Sequence, residues 1–362
     1  MPILTLFTFN VIKVLLLSAL GAIFGFIFSP FLIKFLNKIK FYKKEAREKT
    51  ITGEKAEVFY NLHKEREIKV PRGGGLIVWF SVLFLIFLFY VLSFIDNPWW
   101  LKKFNFLSRR ETWLPLFTLI TASLVGLCDD FFVVFGKGRY VGKGLTFAGR
   151  LIIVASIGLI GGLWFRYKLN WQSIHIPLIF NFPEGIDWQI GFWIIPLFVL
   201  VMIASWSGGV IDGLDGLAGG TFASIFGSFL VISFAQGKVE LATFCAVILG
   251  SLFAFLWWNI PPARFYMGET GILGLTSTMA VIAFLTDSVA VLPIIAGPLV
   301  IEVFSIILQL FSKKFRKKKI WLSTPIHHHL EAKGWPDYQI TMRFWIISIV
   351  FAILGVAIRL LG

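Results

Sequence analysis

Three polar clusters that could do chemistry interrupt an otherwise apolar chain. They are the adjacent carboxylates Asp129-Asp130, the string Asp-Gly-Leu-Asp at 212–215, and the consecutive imidazoles His327-His328-His329. Because a bilayer tolerates ionisable groups poorly, carboxylates and imidazoles at the edges of apolar segments are functional candidates. Carboxylate oxygens suit divalent cations and proton transfer, whereas imidazoles suit hydrogen bonding to anions.

The pair Asp129 and Asp130 ends an apolar segment in Gly-Leu-Cys-Asp-Asp. A simple alternative is a solvated pair of acids at a helix end. The C-terminus of a helix carries partial negative charge, however, so two adjacent acids there need a cation or a proton to offset them. The pattern therefore indicates carboxylates that share Mg²⁺, or one carboxyl that acts as a base.

Asp212 and Asp215 are three residues apart, which would place both carboxylates on one face of a helical turn. The glycines at 208, 209, 213 and 216 argue against a continuous helix, and they allow the backbone to approach a ligand closely. Glycine-mediated helix packing is one alternative. A calcium loop of the EF-hand type is another, but its residue order and distal Glu are absent. We predict a ligand-binding acidic loop.

Asn259 and Glu269 bracket a segment that prolines interrupt and in which Gly268 allows a tight turn. Glu269 could complete a Mg²⁺ site with the aspartates, or it could be an ordinary N-terminal acid of the following helix. Tyr266 lies in the same segment and offers an aromatic ring for stacking.

The three histidines lie inside the chain, which excludes a purification tag. Successive helical residues point about 100° apart, which argues against one metal ion bound by His327, His328 and His329 together. We predict that they donate hydrogen bonds to phosphate or bind the anion. A purely structural role is the alternative for any one of them.

The composition excludes a soluble domain. Of 362 residues, 57% are hydrophobic and 15% are charged, the mean hydropathy is +0.82, and there are 40 Phe and 14 Trp. This predicts an all-α, polytopic membrane protein, organised as one domain over residues 1–362. The two cysteines, Cys128 and Cys245, lie in apolar segments and are expected to be packing residues.

The apolar segments predict ten transmembrane helices, each about long enough to cross a hydrocarbon core of ~30 Å. The first is too long for a cleaved signal peptide, and Pro30 interrupts it. The ten predicted spans are 11–37, 75–95, 113–128, 147–164, 190–207, 220–235, 239–258, 271–286, 289–311 and 343–361.

Basic residues predict the orientation of these spans. Twelve Lys or Arg lie between Lys34 and Arg72, eight lie between Lys313 and Arg343, and one set of loops holds 25 of the 34 basic residues. The positive-inside rule makes those loops cytoplasmic and both termini external. The charge suits anionic membrane lipid, and nothing resembles a nucleic-acid-binding module. In the external segment 166–189, apolar and polar residues alternate in part. This pattern predicts a short hairpin on the membrane surface.

Polar clusters follow spans one, three, five, seven and nine, and therefore all fall on the predicted cytoplasmic face. Besides the clusters already named, they include Pro71-Arg72-Gly73-Gly74-Gly75. Chance would scatter such clusters over both faces, so the pattern predicts one cytoplasmic active site. A lipid transporter is a further alternative, but transporters place their sites near the midplane and often show repeated halves.

The ordered set of motifs resembles the bacterial phospho-N-acetylmuramoyl-pentapeptide transferase family. This family belongs to the polyprenyl-phosphate N-acetylhexosamine-1-phosphate transferase superfamily. The resemblance runs through the whole chain, and the string Pro-Ile-His-His-His-Leu-Glu is similar to the muramoyl-pentapeptide branch. The motifs that carry it lie at residues 126–130, 212–218, 257–268 and 325–331.

The resemblance implies ten transmembrane helices, a homodimer in the bacterial inner (plasma) membrane, and Mg²⁺ as cofactor. It also implies transfer of phospho-MurNAc-pentapeptide from UDP-MurNAc-pentapeptide to undecaprenyl phosphate, which yields lipid I and UMP. The implied catalytic residues are Asp129, Asp130, Asp212 and His327. The implied substrate-binding residues are Asp215, Asn259, Tyr266, Gly268, His328, His329 and Arg150, and the implied metal ligands are Glu269 and Asp129.

The chain departs from the family pattern at several positions. Glu269 stands where the family usually has Asp, Val133 where it has Lys, and Gly209 where it has Asn. The Pro-Arg-Gly-Gly-Gly string at 71–75 is closer to the other branches of the superfamily. A related transferase that moves N-acetylglucosamine-1-phosphate to a polyprenyl phosphate is therefore the alternative function.

Overall fold

The structure is a computed structural model that describes residues 5–43, 60, 68, 70–94, 99–108, 111–136, 144–177 and 184–362. The regular secondary structure of the described residues is almost entirely helical, and the predicted all-α fold is confirmed. The helices are α1 (Leu6–Lys38), α2 (Leu76–Leu92), α3 (Trp99–Lys102), α4 (Trp113–Phe135), α5 (Phe147–Leu163), α6 (Ile194–Ser207), α7 (Leu217–Ala235), α8 (Val239–Asn259), α9 (Gly268–Leu285), α10 (Leu292–Ile295), α11 (Gly297–Arg316), α12 (Ile326–Ala332) and α13 (Asp337–Leu361).

Eight helical segments of the described chain are long and apolar enough to cross a membrane. They correspond to α1, α4, α5, α6, α7, α8, α9 and α13. The second predicted span coincides with the shorter apolar helix α2, of 17 residues. The ninth, 289–311, is wrong as one continuous helix, because the chain breaks at Ala296 between α10 and α11. Pro298 lies in the first turn of α11, where its missing N–H is tolerated, and so begins a new helix.

Two further predicted boundaries differ from the observed ones by six residues or more. Helix α4 continues seven residues beyond the predicted end at 128, to Phe135, where Gly136 ends it with a left-handed φ of 66°. Helix α13 begins at Asp337 rather than at 343, directly after Pro336. Both helices carry polar residues in the added turns, and a pattern based on hydropathy alone omits such turns.

Helix α9 lies at the centre of the fold, and each of its residues except Glu269 is buried. A helix that is apolar on all sides belongs in the interior. Small residues let its neighbours approach: a Cβ added at Gly126 of α4 would meet the Glu269 backbone carbonyl, and one added at Gly274 would meet Ser123. Helix α4 is thereby packed closely against the first turn of α9.

The outward faces of the peripheral helices are apolar. Side chains exposed by more than half include Leu15, Ile27, Phe31, Ile152 and Ile353. A soluble protein rarely exposes apolar surface on this scale, and a bilayer accounts for it. The structure is therefore that of a multi-pass membrane protein.

The predicted hairpin is present as two antiparallel strands, β1 (Ser173–Ile176) and β2 (Ile186–Gln189). Ser173 pairs with Gln189, and Ile176 pairs with Ile186. The residues that connect the strands at 178–183 lie outside the described part of the chain.

Candidate active site

The segment 71–75 is held against the turn that precedes α9. Tyr266 donates its N–H to the Pro71 carbonyl at 2.8 Å, and its own carbonyl accepts from the Gly74 N–H at 2.7 Å. Gly75 donates to the Met267 carbonyl at 3.0 Å. These backbone bonds bring Arg72, a member of the predicted 71–75 cluster, to Asp130 of α4.

Asp130 is fully buried and its carboxylate is occupied by three donors. Arg72 Nε donates to Oδ1 at 2.8 Å, and the N–H and hydroxyl of Thr270 donate to Oδ2 at 2.9 and 2.7 Å. Burial alone would lower the pKa of Arg72, but the nearby acids Asp130, Asp212 and Glu269 together outweigh burial and raise that pKa. Asp130 thus ties α4, the first turn of α9 and the 71–75 segment together.

Arg150 bridges two acids that the sequence predicts to bind metal. Its Nη2 lies 2.8 Å from Asp129 Oδ2, and its Nη1 lies 2.8 Å from Glu269 Oε1. Asp129 Oδ1 also accepts from the N–H of Leu145 at 2.5 Å. Since α4 continues to Phe135, Asp129 lies about a turn and a half before its end. The acids are therefore offset by arginines and N–H groups, and the helix-end argument does not apply to them.

The acidic loop, residues 212–216, follows a tight turn at Gly208–Ile211 and precedes α7. Asp215 Oδ2 accepts from the Ala263 N–H at 3.0 Å. Asn259 Oδ1 accepts from the Gly216 N–H at 3.0 Å, and its Nδ2 donates to the Phe265 carbonyl at 2.9 Å. The helix is interrupted at this loop, as the glycines predict, and the hydrogen bonds of Asn259 hold the loop in place. Direct contact between Asn259 and a substrate stays a prediction.

Asp212 has weaker support than the other aspartates. Its Oδ2 accepts from the Gly268 N–H at 3.3 Å, and among the described residues no basic side chain lies within 4 Å of it. Burial raises the pKa of the Asp212 carboxyl to about 6, and the more distant Arg72 only partly offsets this. Asp212 is the acid of the site for which a cation is most needed.

Gly268 begins α9 with a φ of 70°, a backbone conformation that side chains with a Cβ disfavour. A Cβ at this position would also meet the carboxylate of Asp130. Gly268 is therefore needed for the close approach of the turn to the acids, which is a structural reason for its presence in the predicted motif.

The histidines of α12 reach the same acidic loop. A Cβ at Gly213 would meet Nε2 of His327 and would lie 3.0 Å from Nε2 of His328. The two rings are 4.1 Å apart, and both are buried. His329 turns away from them: its Nδ1 accepts from the Leu322 N–H at 3.2 Å, and burial lowers its pKa. The structure brings His327 and His328 to the acidic loop, whereas the ring of His329 contacts the segment that precedes α12.

All five polar clusters predicted from the sequence lie at one end of the helix bundle, here called the site end. Four carboxylates, Asp129, Asp130, Asp212 and Glu269, meet two guanidinium groups there. This excess of negative charge and the hard oxygen donors suit a divalent cation such as Mg²⁺. No group of three or more His, Cys, Asp or Glu among the described residues is arranged to hold a metal ion. Arg150 contacts both predicted ligands, so it competes with a cation for their oxygens.

Sequence reasoning missed two residues at this end of the bundle, Thr270 and Glu302, and it named Arg72 only as part of the 71–75 cluster. Glu302 is fully buried in α11, and its Oε2 lies 3.1 Å from His327 Nδ1. A lone acid inside an apolar span is the signal that would have found it. Nothing in the local sequence distinguishes Thr270 from other helical threonines.

Comparison with known proteins agrees with this architecture. The model of Glycosyl transferase family 4 matches residues 112–287. The phospho-N-acetylmuramoyl-pentapeptide-transferase of Geobacillus thermodenitrificans (strain NG80-2) is 31% identical over 353 residues, which span 96% of this chain and 98% of that protein. Proteins of the same name from Rickettsia bellii (strain OSU 85-389) and Dichelobacter nodosus (strain VCS1703A) are 30% and 36% identical, over 92% and 68% of this chain and 89% and 72% of theirs.

The fold and the site thus define a multi-pass helical membrane protein whose acids, arginines and histidines converge at one end of the bundle. Within that class, the chain belongs to the phospho-N-acetylmuramoyl-pentapeptide-transferase family. The resemblance noted in the sequence is confirmed.

Proposed function

We propose that this protein transfers phospho-MurNAc-pentapeptide from UDP-MurNAc-pentapeptide to undecaprenyl phosphate, with lipid I and UMP as products. The observation that carries the proposal is the convergence of the family motifs at 126–130, 212–218, 257–268 and 325–331 on one cluster. The match to relatives of that name over nearly their full length supports it.

In this reaction an oxygen of the lipid phosphate attacks the β-phosphorus of the donor. A new phosphorus–oxygen bond forms, the bond between the β-phosphorus and the bridging oxygen breaks, and UMP leaves with that oxygen. The two reactants are anionic, so the site has to offset charge. Arg72 and Arg150 supply fixed positive charge beside the acids, and His327 and His328 supply ring nitrogens at the acidic loop.

Mg²⁺ fits the donor set, with Asp129 and Glu269 as its proposed ligands. When bound, the ion would neutralise diphosphate charge and assist departure of UMP. Asp212, which has no basic partner within 4 Å among the described residues, contributes further negative charge toward a cation. Asp130 holds Arg72 and Thr270 in place.

The nucleotide part of the donor is assigned to the turn before α9 and to the acidic loop. Tyr266 is half-buried there, and we propose that uracil stacks on its ring. Asp215 and Asn259 hold the loop in position through Ala263 and Gly216. His329, whose ring contacts Leu322 in the segment before α12, is assigned to the outer part of the donor site.

The membrane assignments rest on charge and on the family. We propose the bacterial inner membrane, a cytoplasmic site end, external termini and a homodimer. The basic residues at 313–319, next to the site end, support the cytoplasmic orientation by the positive-inside rule.

A direct assay tests the proposal. Purified protein is supplied with undecaprenyl phosphate and Mg²⁺, together with either UDP-MurNAc-pentapeptide or UDP-GlcNAc, and UMP and lipid-linked sugar are measured. We expect turnover with the muramoyl donor. Turnover with UDP-GlcNAc alone would establish the alternative branch, which Arg72 and Gly209 favour by their departure from the family pattern. Turnover with neither donor would contradict both and favour a transporter.

A further inference from the structure

Glu302 is a fully buried acid that the proposed reaction does not use. It lies in α11, whose buried face is polar (Glu302, Ser305, Gln309) while its outer face is apolar. Gln309 is used structurally, because its Oε1 accepts from the N–H of Ile320 at 2.8 Å. Burying a carboxylate costs free energy unless a partner offsets its charge. Glu302 is therefore expected to have a specific partner.

That partner is His327. Glu302 Oε2 lies 3.1 Å from His327 Nδ1, and both side chains have no exposed surface. Within the described part of the chain, none of their carboxylate oxygens and ring nitrogens has a hydrogen bond of standard geometry, so the two side chains meet at 3.1 Å as a close ionic contact rather than as an aligned hydrogen bond. No Lys or Arg of the described residues lies within 4 Å of Glu302. The pair therefore depends on its own contact.

The contact orients the ring of His327 relative to the acidic loop. Since Nδ1 faces Glu302, the opposite nitrogen, Nε2, faces Gly213. His328 repeats the arrangement: its Nδ1 lies 2.9 Å from Glu331 Oε2, and its Nε2 also faces Gly213. A carboxylate on one ring nitrogen determines which tautomer is present and what the other nitrogen offers to a ligand.

We propose that Glu302 is a positioning residue for the transfer reaction. It holds hydrogen on Nδ1 of His327 and keeps Nε2 directed at the acidic loop, where the donor phosphates are assigned. This inference rests on the proposed function for its effect on turnover, whereas the orientation of the ring is independent of that function. Within the described part of the chain, the groups that face His327 are Glu302 from α11, His328 from α12 and Gly213 from the acidic loop.

Kinetics of three variants test the effect on the reaction. Glu302→Gln keeps the size of the side chain and removes the charge, and we expect kcat to fall about 10- to 100-fold with little change in KM for the donor. Glu302→Asp keeps a carboxylate and should recover kcat to within about 10-fold of wild type. Glu240→Gln is the matched control, because Glu240 pairs with Lys13 at the other end of the bundle, 3.7 Å away. We expect the control to retain wild-type kcat.

Nitrogen-15 NMR of histidine-labelled protein tests the orientation itself. The His327 signals are assigned by their loss in His327→Gln. In wild type we expect hydrogen on Nδ1, and in Glu302→Gln a shift toward the Nε2–H tautomer, with the Glu240→Gln spectrum unchanged. This measurement on wild-type protein decides the question even if Glu302→Gln does not fold.

Two results would overturn the proposal. One is a neutral His327 in wild type with its hydrogen on Nε2, and the other is a folded Glu302→Gln enzyme with unchanged kcat and unchanged ring signals. A Glu302→Gln variant that loses only thermal stability, with unchanged kcat per folded molecule, would likewise reduce Glu302 to a packing role. If wild type turns over neither donor, the proposed function fails, while the NMR result still decides whether Glu302 orients the ring.

Discussion

The two ends of the helix bundle use charged side chains in different ways. At the end opposite the site, Lys238 Nζ donates to the Leu285 carbonyl at 2.6 Å and Gln236 Nε2 to the Thr286 carbonyl at 2.7 Å, where α9 ends. Glu111 accepts from the Leu241 N–H at 3.2 Å, where α8 begins. Donors at a helix C-terminus and an acid at an N-terminus satisfy orphan backbone groups and suit the helix dipole. These contacts account for the charges of Lys238 and Glu111.

At the site end, acids also accept hydrogen bonds from a helix N-terminus, but the site holds more acids than this requires. Asp130 and Asp212 accept from N–H groups in the first turn of α9, as helix-capping acids would. Four acids are then gathered around two arginines, which is more negative charge than the helix ends need. Burying unbalanced charge is costly, so such an arrangement persists where it serves a ligand. Four experiments test this difference between the two ends.

The largest expected effect is on turnover. Asp129→Asn, Asp130→Asn and Asp212→Asn each remove one negative charge at nearly constant size, and we expect turnover to fall about 10²- to 10³-fold. Asp287→Asn is the matched control at the opposite end, where Asp287 Oδ1 accepts from the His175 N–H at 3.1 Å. It should leave turnover unchanged. Near wild-type release of UMP by all three folded site variants would contradict the single-site interpretation.

The next effect concerns the cation. Glu269→Gln should raise the Mg²⁺ concentration needed for half-maximal activity about 10- to 100-fold, because a charged oxygen ligand is lost. Glu269→Asp should retain activity. Titration of turnover against Mg²⁺ for both variants measures this, with Glu111→Gln as a control from the opposite end. Superimposable curves for wild type and Glu269→Gln would remove Glu269 from the metal site and leave it as an N-terminal acid of α9.

A pair of glycines separates backbone strain from site geometry. Gly268 and Gly237 have φ of 70° and 72°, but a Cβ at Gly268 meets Asp130, while nothing lies within 4 Å of a Cβ at Gly237. Replacement by Ala should cost about 1–2 kcal/mol of stability at either position. Only Gly268→Ala should also lower turnover, because the Cβ displaces Asp130. Thermal unfolding and UMP release measure the two effects, and equal turnover in both variants would contradict this geometry.

The smallest expected effect is on stability as a function of pH. The folded-state pKa of Asp212 is raised from 3.8 to about 6, so its contribution to stability is fully present below pH 3.8 and is lost as the pH rises through about 6. Asp212→Asn should therefore unfold at a higher temperature than wild type at about pH 8, and at a similar temperature at about pH 4.

Asp130→Asn gives the contrasting result, because it disturbs the three hydrogen bonds that Asp130 accepts and should unfold at a lower temperature at both pH values. If Asp212→Asn were destabilised at pH 8 as much as Asp130→Asn, the ionised Asp212 carboxylate would stabilise the folded state through its contacts. The prediction that its burial destabilises the folded state would then be wrong.

Local sequence was sufficient for much of the fold and for the motifs of the site. Apolar runs of about 20 residues predict helices, since in lipid each backbone polar group has to be satisfied within its own segment. Gly-rich and Pro-rich strings correctly predict the breaks at the acidic loop and before α9. The boundaries at Phe135 and Asp337 were missed, because polar residues lower the hydropathy of a helical turn and such turns then do not count as part of an apolar span.

What the sequence determined by itself is the class of protein, the family and the residue types of the site, because hydropathy, charge and motif order are properties of the linear chain. Only the tertiary structure decided which charged side chains contact one another. Arg72 contacts Asp130 across 58 positions, Arg150 contacts Glu269 across 119, and Glu302 meets His327 from a different helix. Such pairs form because packing around α9 leaves buried charges within reach of one another and away from water. Pairing opposite charges then has the lowest free-energy cost for buried groups. Such pairs cannot be predicted from the spacing of the residues along the chain.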